Sequence, residues 1–397
     1  MKLRNIFFVL LLIQGCFAFS AKLTKKYVTK GDLKEVIPAC ANARNDSILK
    51  NEPQTWYFSG LLQERIYNGK NDDIYLWKKG KSDVKIDTVQ FYSSLYDLFK
   101  YMLVCDSLET VQGTNKFRKA SAAVVRDLRP NLNSGGLFYL QKEDYKNAFP
   151  YFSMLVDASV SSLFKDNDSP LVVRAAYSAC LSAYFSQNYE GVVKYSDLAM
   201  KDTTHTRYAL VYKSLSLKKL GYTADYLATL KDGMDRFLND DFFYMELVNY
   251  YSNYPEKIDS FYTTSEEQLK LHPEKAFYYY ALGVLNMKKE NYPEAIKWDI
   301  EAVKRDSTNI VYLKDLGQCY FLQAQIYEDT ASTSIENPRF KTDRTRILDT
   351  YRKALDCYER LRLLAPEDKS LWVSALYTIY FKLNMGKQFQ EIEKIMR

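Results

Sequence analysis

"YYYALGVLNMKKENYPEAIKWDIEAVKRD", Tyr278 to Asp306, decides the fold. Aromatics, a Leu-Gly pair and alanines stand at fixed intervals between charged residues. Such a pattern lines a pocket, or it is packing that recurs along the chain. A shift of 34 residues carries Leu282-Gly283 onto Leu316-Gly317, with Tyr320 beyond. Ala176, Leu210, Tyr244, Tyr279 and Leu313 are equivalent by the same template and follow one another at steps of 34, 34, 35 and 34. A period that regular marks a repeat array.

The template is an aromatic or Leu, then x2-L-G-x2-Y, then A-x3-aromatic and a Pro. "LNSGGLFYLQKEDYKNAFPYF" fits through Leu132, Gly135, Gly136, Tyr139, Tyr145, Ala148 and Phe152. Further copies carry Ala179, Cys180, Ala183, Tyr189 and Ala199, then Ser214, Leu217, Gly221 and Tyr226, then Leu247, Val248 and Tyr251. The pattern resembles the tetratricopeptide repeat, and the resemblance covers most of the chain. It implies an all-α fold, an α-solenoid of stacked antiparallel helix pairs. Large residues form the inward stripe of helix A, the small residue lets helix B approach, and Ala on helix B receives a neighbour's side chain. Three positions depart from it: Asn286 for Tyr, Asp299 (beside Trp298) for Phe, and Ser307 for the terminal Pro.

Residues 21–127 read as degenerate helical repeats, with Trp56 and Gly60 on a helix A, a polar insert at about 68–88 and a helix B at Phe91 to Cys105. Residues 128–397 read as the array proper. Ala295 and Ala354 are 59 residues apart, 25 more than one period, so an insert at about 325–347 is expected as a surface excursion or a partner contact. The chain ends on a helix A from Leu371, a turn at Gly386 and a capping helix that packs Ile392 and Ile395.

The N-terminus has Lys2 and Arg4 before an apolar run from Ile6 to Ile13, too short to span a bilayer as a helix and suited to a secretory signal over residues 1–20. Two cleavage readings stand. Ala18 and Ser20 suit signal peptidase and soluble export, whereas "IQGC" resembles a lipobox that would place a lipid on Cys16. Either one places the protein in the bacterial cell envelope, in the periplasm or at the outer membrane, with membrane contact only through that anchor. "KLTKKYVTK", Lys22 to Lys30, reads as a solvated tail.

At 47% hydrophobic and 26% charged, the chain is apolar enough to bury a core. The net charge of +6 is spread among acidic residues, with no basic stripe to track a nucleic acid. Cys40, Cys105, Cys180, Cys319 and Cys357 follow the signal, an odd number without a CxxC pair, so no disulfide framework or zinc site is expected. Buried thiols fit best; a Cys319–Cys357 bridge is the alternative.

No motif for a nucleophile, phosphate loop, metal or dinucleotide occurs, so no enzyme, cofactor or metal is expected. His205 and His272, the only histidines, fall between helices and read as solvated turn residues. The two "NDD" runs, Asn71 to Asp73 and Asn239 to Asp241, read as caps or turns rather than cation sites.

What remains is a surface. Stacked pairs place helices A along a concave groove, and residues flanking the packed stripe should face it: Tyr177, Tyr184, Tyr208, Tyr212, Asn249, Asn253, Tyr280, Lys314 and Gln318. With 34 tyrosines in the chain, rings that merely pack against neighbouring repeats are one reading. Another is a scaffold or adaptor whose groove holds a protein or extended peptide. A third is a lipoprotein that captures a glycan, similar to outer-membrane glycan-capture proteins with tetratricopeptide helices. The Lys- and Asn-rich carboxylate clamp of the repeat family is not reproduced.

Overall fold

The computed structural model describes residues 23–79, 87–237 and 240–396. The signal segment with Cys16, Lys22, part of the first insert, and Asn239 lie outside the described residues. The described residues form α1 (Lys25–Lys30), α2 (Leu33–Asn45), α3 (Pro53–Lys78), α4 (Thr88–Val111), α5 (Arg118–Val125), α6 (Arg129–Leu140), α7 (Tyr145–Val160), α8 (Pro170–Phe185), α9 (Tyr189–Ala199), α10 (Thr206–Leu220), α11 (Thr223–Arg236), α12 (Asp241–Tyr251), α13 (Pro255–Leu271), α14 (Ala276–Lys288), α15 (Tyr292–Arg305), α16 (Ile310–Thr330), α17 (Phe340–Leu364), α18 (Val373–Lys382) and α19 (Gly386–Met396). The chain divides into two compact units, 1–229 and 230–397.

Each unit is a stack of helix pairs. In the N-terminal unit α3 packs on α4, α6 on α7 and α8 on α9, and α7–α8 and α9–α10 join one pair to the next. In the C-terminal unit α14–α15, α16–α17 and α18–α19 are pairs, joined by α15–α16 and α17–α18. Helices A of successive pairs also touch: α6 with α8 and α8 with α10 in the first unit, α12 with α14 and α14 with α16 in the second.

The packing follows the repeat register. Ala176, Leu210, Tyr244, Tyr279 and Leu313 are all buried, as are Ala148, Ala295, Ala302 and Ala354 on helices B. A Cβ on Gly136 would lie 2.6 Å from the Phe152 ring, so the small residue on helix A is what admits the large one on helix B.

The turns repeat as well. Glu143-Asp144-Tyr145, Gln187-Asn188-Tyr189 and Glu290-Asn291-Tyr292 each join helix A to helix B. The first residue of each takes the left-handed region, at φ 57°, 61° and 58°. Asp144 and Asn188 then cap helix B by accepting from the amides of Asn147 and Gly191. Gly221 does the left-handed work between α10 and α11 without a Cβ penalty.

Several expectations change. Asn68 to Lys78 of the first insert prolong α3, and the second insert prolongs α16 over Ile326 to Thr330 and α17 over Phe340 to Arg346, with residues 331–339 as the mostly exposed loop between them. The second extension is packed against itself. The Arg346 guanidinium sits 4.1 Å from the Tyr327 ring centre, Tyr351 donates to Glu328, and buried Asp343 accepts from the Ser332 amide. The basic segment at 25–30 is a docked helix, not a solvated tail: Val28 is fully buried, and Arg65 donates to the carbonyls of Val28 and Gly31. Asn71 to Asp73 lie inside α3, while Asp240 caps α12 through the Phe242 amide. The five cysteines among the described residues are buried and free, so the Cys319–Cys357 bridge is not formed.

Candidate functional site

The A helices of the N-terminal unit carry four of the nine groove residues, and they come together. Tyr177 and Tyr184 are two turns apart on α8, while Tyr208 and Tyr212 are one turn apart on α10. The Tyr177 and Tyr212 hydroxyls lie close enough to influence each other's ionisation, and the Tyr184 and Tyr212 rings stack at 4.9 Å. Phe185 joins them: it is 51% exposed, stacks on Tyr145 at 4.9 Å and meets Tyr212 edge-on. Tyr208 is 48% exposed, with the Arg207 guanidinium over its ring. Burial, then the Tyr212 and Tyr208 phenols, pushes Tyr177 up to about 12.

His205 sits in the turn before α10, as its position implies, but it is half-buried rather than fully solvated and belongs to this group. Its ring stacks on Tyr177 at 4.1 Å, and its Nδ1 lies 2.9 Å from Asp202, whose carboxyl the histidine holds below its ordinary range. His272 packs similarly against Tyr278, at 6.0 Å. Sequence reasoning missed Phe185, Tyr145 and His205. The turn motif could have found Tyr145, which opens helix B after Asp144 just as Tyr189 does after Asn188.

The C-terminal unit treats its residues differently. Tyr280 does not face a groove: it is 7% exposed, donates to Asp315 at 2.5 Å and lies against Tyr312 at 4.6 Å. The Tyr312 ring closes over the position that the register leaves open. Lys314 is exposed and Gln318 half-buried, one turn apart on α16. Asn249 is exposed near the end of α12; Asn253 donates to its carbonyl at 2.7 Å and so caps that helix. These four do not form a cluster with Tyr280.

A cavity of about 430 Å³ in the same unit is floored by Tyr244, Leu247, Tyr251 and Phe261. The Tyr244 hydroxyl is already engaged, since Tyr244 donates to Ser265 and Ser265 to the Phe261 carbonyl. Among the described residues, no group of three or more His, Cys, Asp or Glu could hold a metal ion. No described helix is long and apolar enough to cross a membrane.

No family model matches the chain, and no curated protein does. Solved structures do match. A TPR repeats protein from Bacteroides fragilis NCTC 9343 is 16% identical, covering 67% of this chain and 98% of its own, at a TM-score of 0.30. The TPR domain of P58(IPK) is 14% identical over 91% of this chain and 96% of its own, at 0.28. The TPR2AB domain of yeast Sti1, in its complex with pHSP90, is 15% identical over 65% of this chain and 99% of its own, at 0.23. The fold rests on the helix pairing and burial described above. Within each unit, this is an all-α stack of antiparallel pairs at the spacing of tetratricopeptide repeats.

Proposed function

We propose that the chain is a non-catalytic scaffold or adaptor that holds a protein or peptide segment on the helix-A face of its N-terminal unit. The observation that carries this is the half-exposed aromatic group of Tyr145, Tyr177, Tyr184, Phe185, Tyr208 and Tyr212 on neighbouring elements. Ring contact area supplies affinity at low entropic cost. Several of these rings already spend one face on a neighbour, which leaves the other face and the edges of the exposed Phe185 and Tyr208 for a ligand.

A random-peptide display library is the probe. Selected peptides should bind the full chain and weaken at least about tenfold on Phe185→Ala or Tyr208→Ala, as truncated hot-spot aromatics do. No enrichment, or equal binding to both variants, would reject the reading; binding to an oligosaccharide array instead would favour glycan capture.

Export to the cell envelope is a separate part of the proposal, supported by residues 1–20 alone. Palmitate incorporation abolished by Cys16→Ala would identify the lipid anchor. A mature chain starting near Ala21 would identify soluble export.

A further inference from the structure

Asp299 stands on α15 where the repeat pattern calls for an aromatic ring, and its carboxyl fills the space opposite Gly283 of α14. A Cβ on Gly283 would lie 1.9 Å from Oδ1 and 2.7 Å from the carboxyl carbon. The residue is 1% exposed. Oδ2 accepts from the Cys319 thiol at 3.6 Å, a weak donor, and Oδ1 has no hydrogen-bond partner. One thiol cannot satisfy a buried carboxylate, while the neutral acid is far cheaper to bury.

The groups facing it bring no counter-charge. Tyr280 approaches from α14, Asp315, Cys319 and Tyr320 from α16, and Cys357 from α17. The nearby cations Lys288 and Lys314 act on Asp315, which also accepts from Tyr280. The two acids are therefore divided. Burial raises Asp315 as well, but a phenol donor and two cations support its ionised form, whereas Asp299 has only the Cys319 thiol and no cation. Burial first, then the Asp315 charge, drives Asp299 well above the ordinary carboxylate range.

We propose that the Asp299 carboxyl wedged against Gly283 is a pH-sensitive switch, packed as the neutral acid and loosening α15 from α14 and α16 when it ionises. The folded chain holds this proton more tightly than the unfolded chain. Its stabilising effect is thus complete below about pH 4 and declines as pH rises toward the folded-state value. Across that window each pH unit multiplies the opening constant about tenfold.

Two measurements test this on the full chain. Infrared spectra with ¹³C-labelled aspartate should show a protonated carboxyl band at pH 7 that survives Asp315→Asn and vanishes in Asp299→Asn. Hydrogen-exchange protection in α15 should fall with pH in the wild type, and that tenfold-per-unit component should be absent from Asp299→Asn. A missing band in the wild type, a band lost in Asp315→Asn, or an unchanged slope in Asp299→Asn would overturn the proposal. Should Asp299→Asn fail to fold, titration of the wild-type band and its retention in Asp315→Asn decide alone.

Discussion

Tyr177 and Tyr280 occupy the same register position in their repeats, one residue after Ala176 and Tyr279. Each hydroxyl is turned toward the residue 35 positions on, Tyr212 in one case and Asp315, to which it donates, in the other. Yet Tyr177 is half-exposed and Tyr280 is buried. The difference lies three residues before the partner. In the C-terminal unit that residue is Tyr312, whose ring closes over Tyr280; in the N-terminal unit it is Ala209, which is too small to do so. The register decides which residues meet, and a third side chain decides whether water still reaches them.

The largest effect should come from the tightest contact beside Tyr280. Gly283→Ala forces a methyl into the Asp299 carboxyl and should cost about 3 kcal/mol, as overpacking of a rigid core does. Urea unfolding followed by tryptophan fluorescence would measure it. A cost under about 1 kcal/mol would mean that α14 and α15 have room to part and that the C-terminal unit is not close-packed there.

Next comes the hydroxyl. Tyr280→Phe removes the buried donor to a half-buried Asp315, which should lower stability by about 2 kcal/mol and raise the Asp315 carboxyl further, because its supporting hydrogen bond is lost. Denaturation at pH 7 and a carboxyl titration by NMR would read both. The smallest effect is the matching change in the other unit. Tyr177→Phe should cost about 0.5 kcal/mol, because water can replace its half-exposed partner. Equal losses at Tyr177 and Tyr280 would break the comparison.

The helix pairs, their register and the burial of the repeat alanines were legible in the sequence, since each depends on residues at fixed spacing. The inserts were legible only in part: residues 331–339 form the surface excursion, but the polar residues flanking them, and Asn68 to Lys78, prolong helices instead. Charged residues also prolong helices when a long pair can hold them across its two strands of packing, as Arg346 on Tyr327 does. His205 misled for a related reason: its position between helices implied solvent, and only the fold places it on the Tyr177 face.

By itself, then, the sequence determined the array: a 34-residue period, small residues opposite large ones, and Asp or Asn at the start of helix B. Those are local and nearest-neighbour terms, which periodicity exposes. Only the tertiary structure decided that Tyr280 is interior and Phe185 exterior, and that Asp299 has lost every strong donor. Exposure and protonation depend on the groups that several helices bring to one point, and no spacing along a single chain encodes that sum.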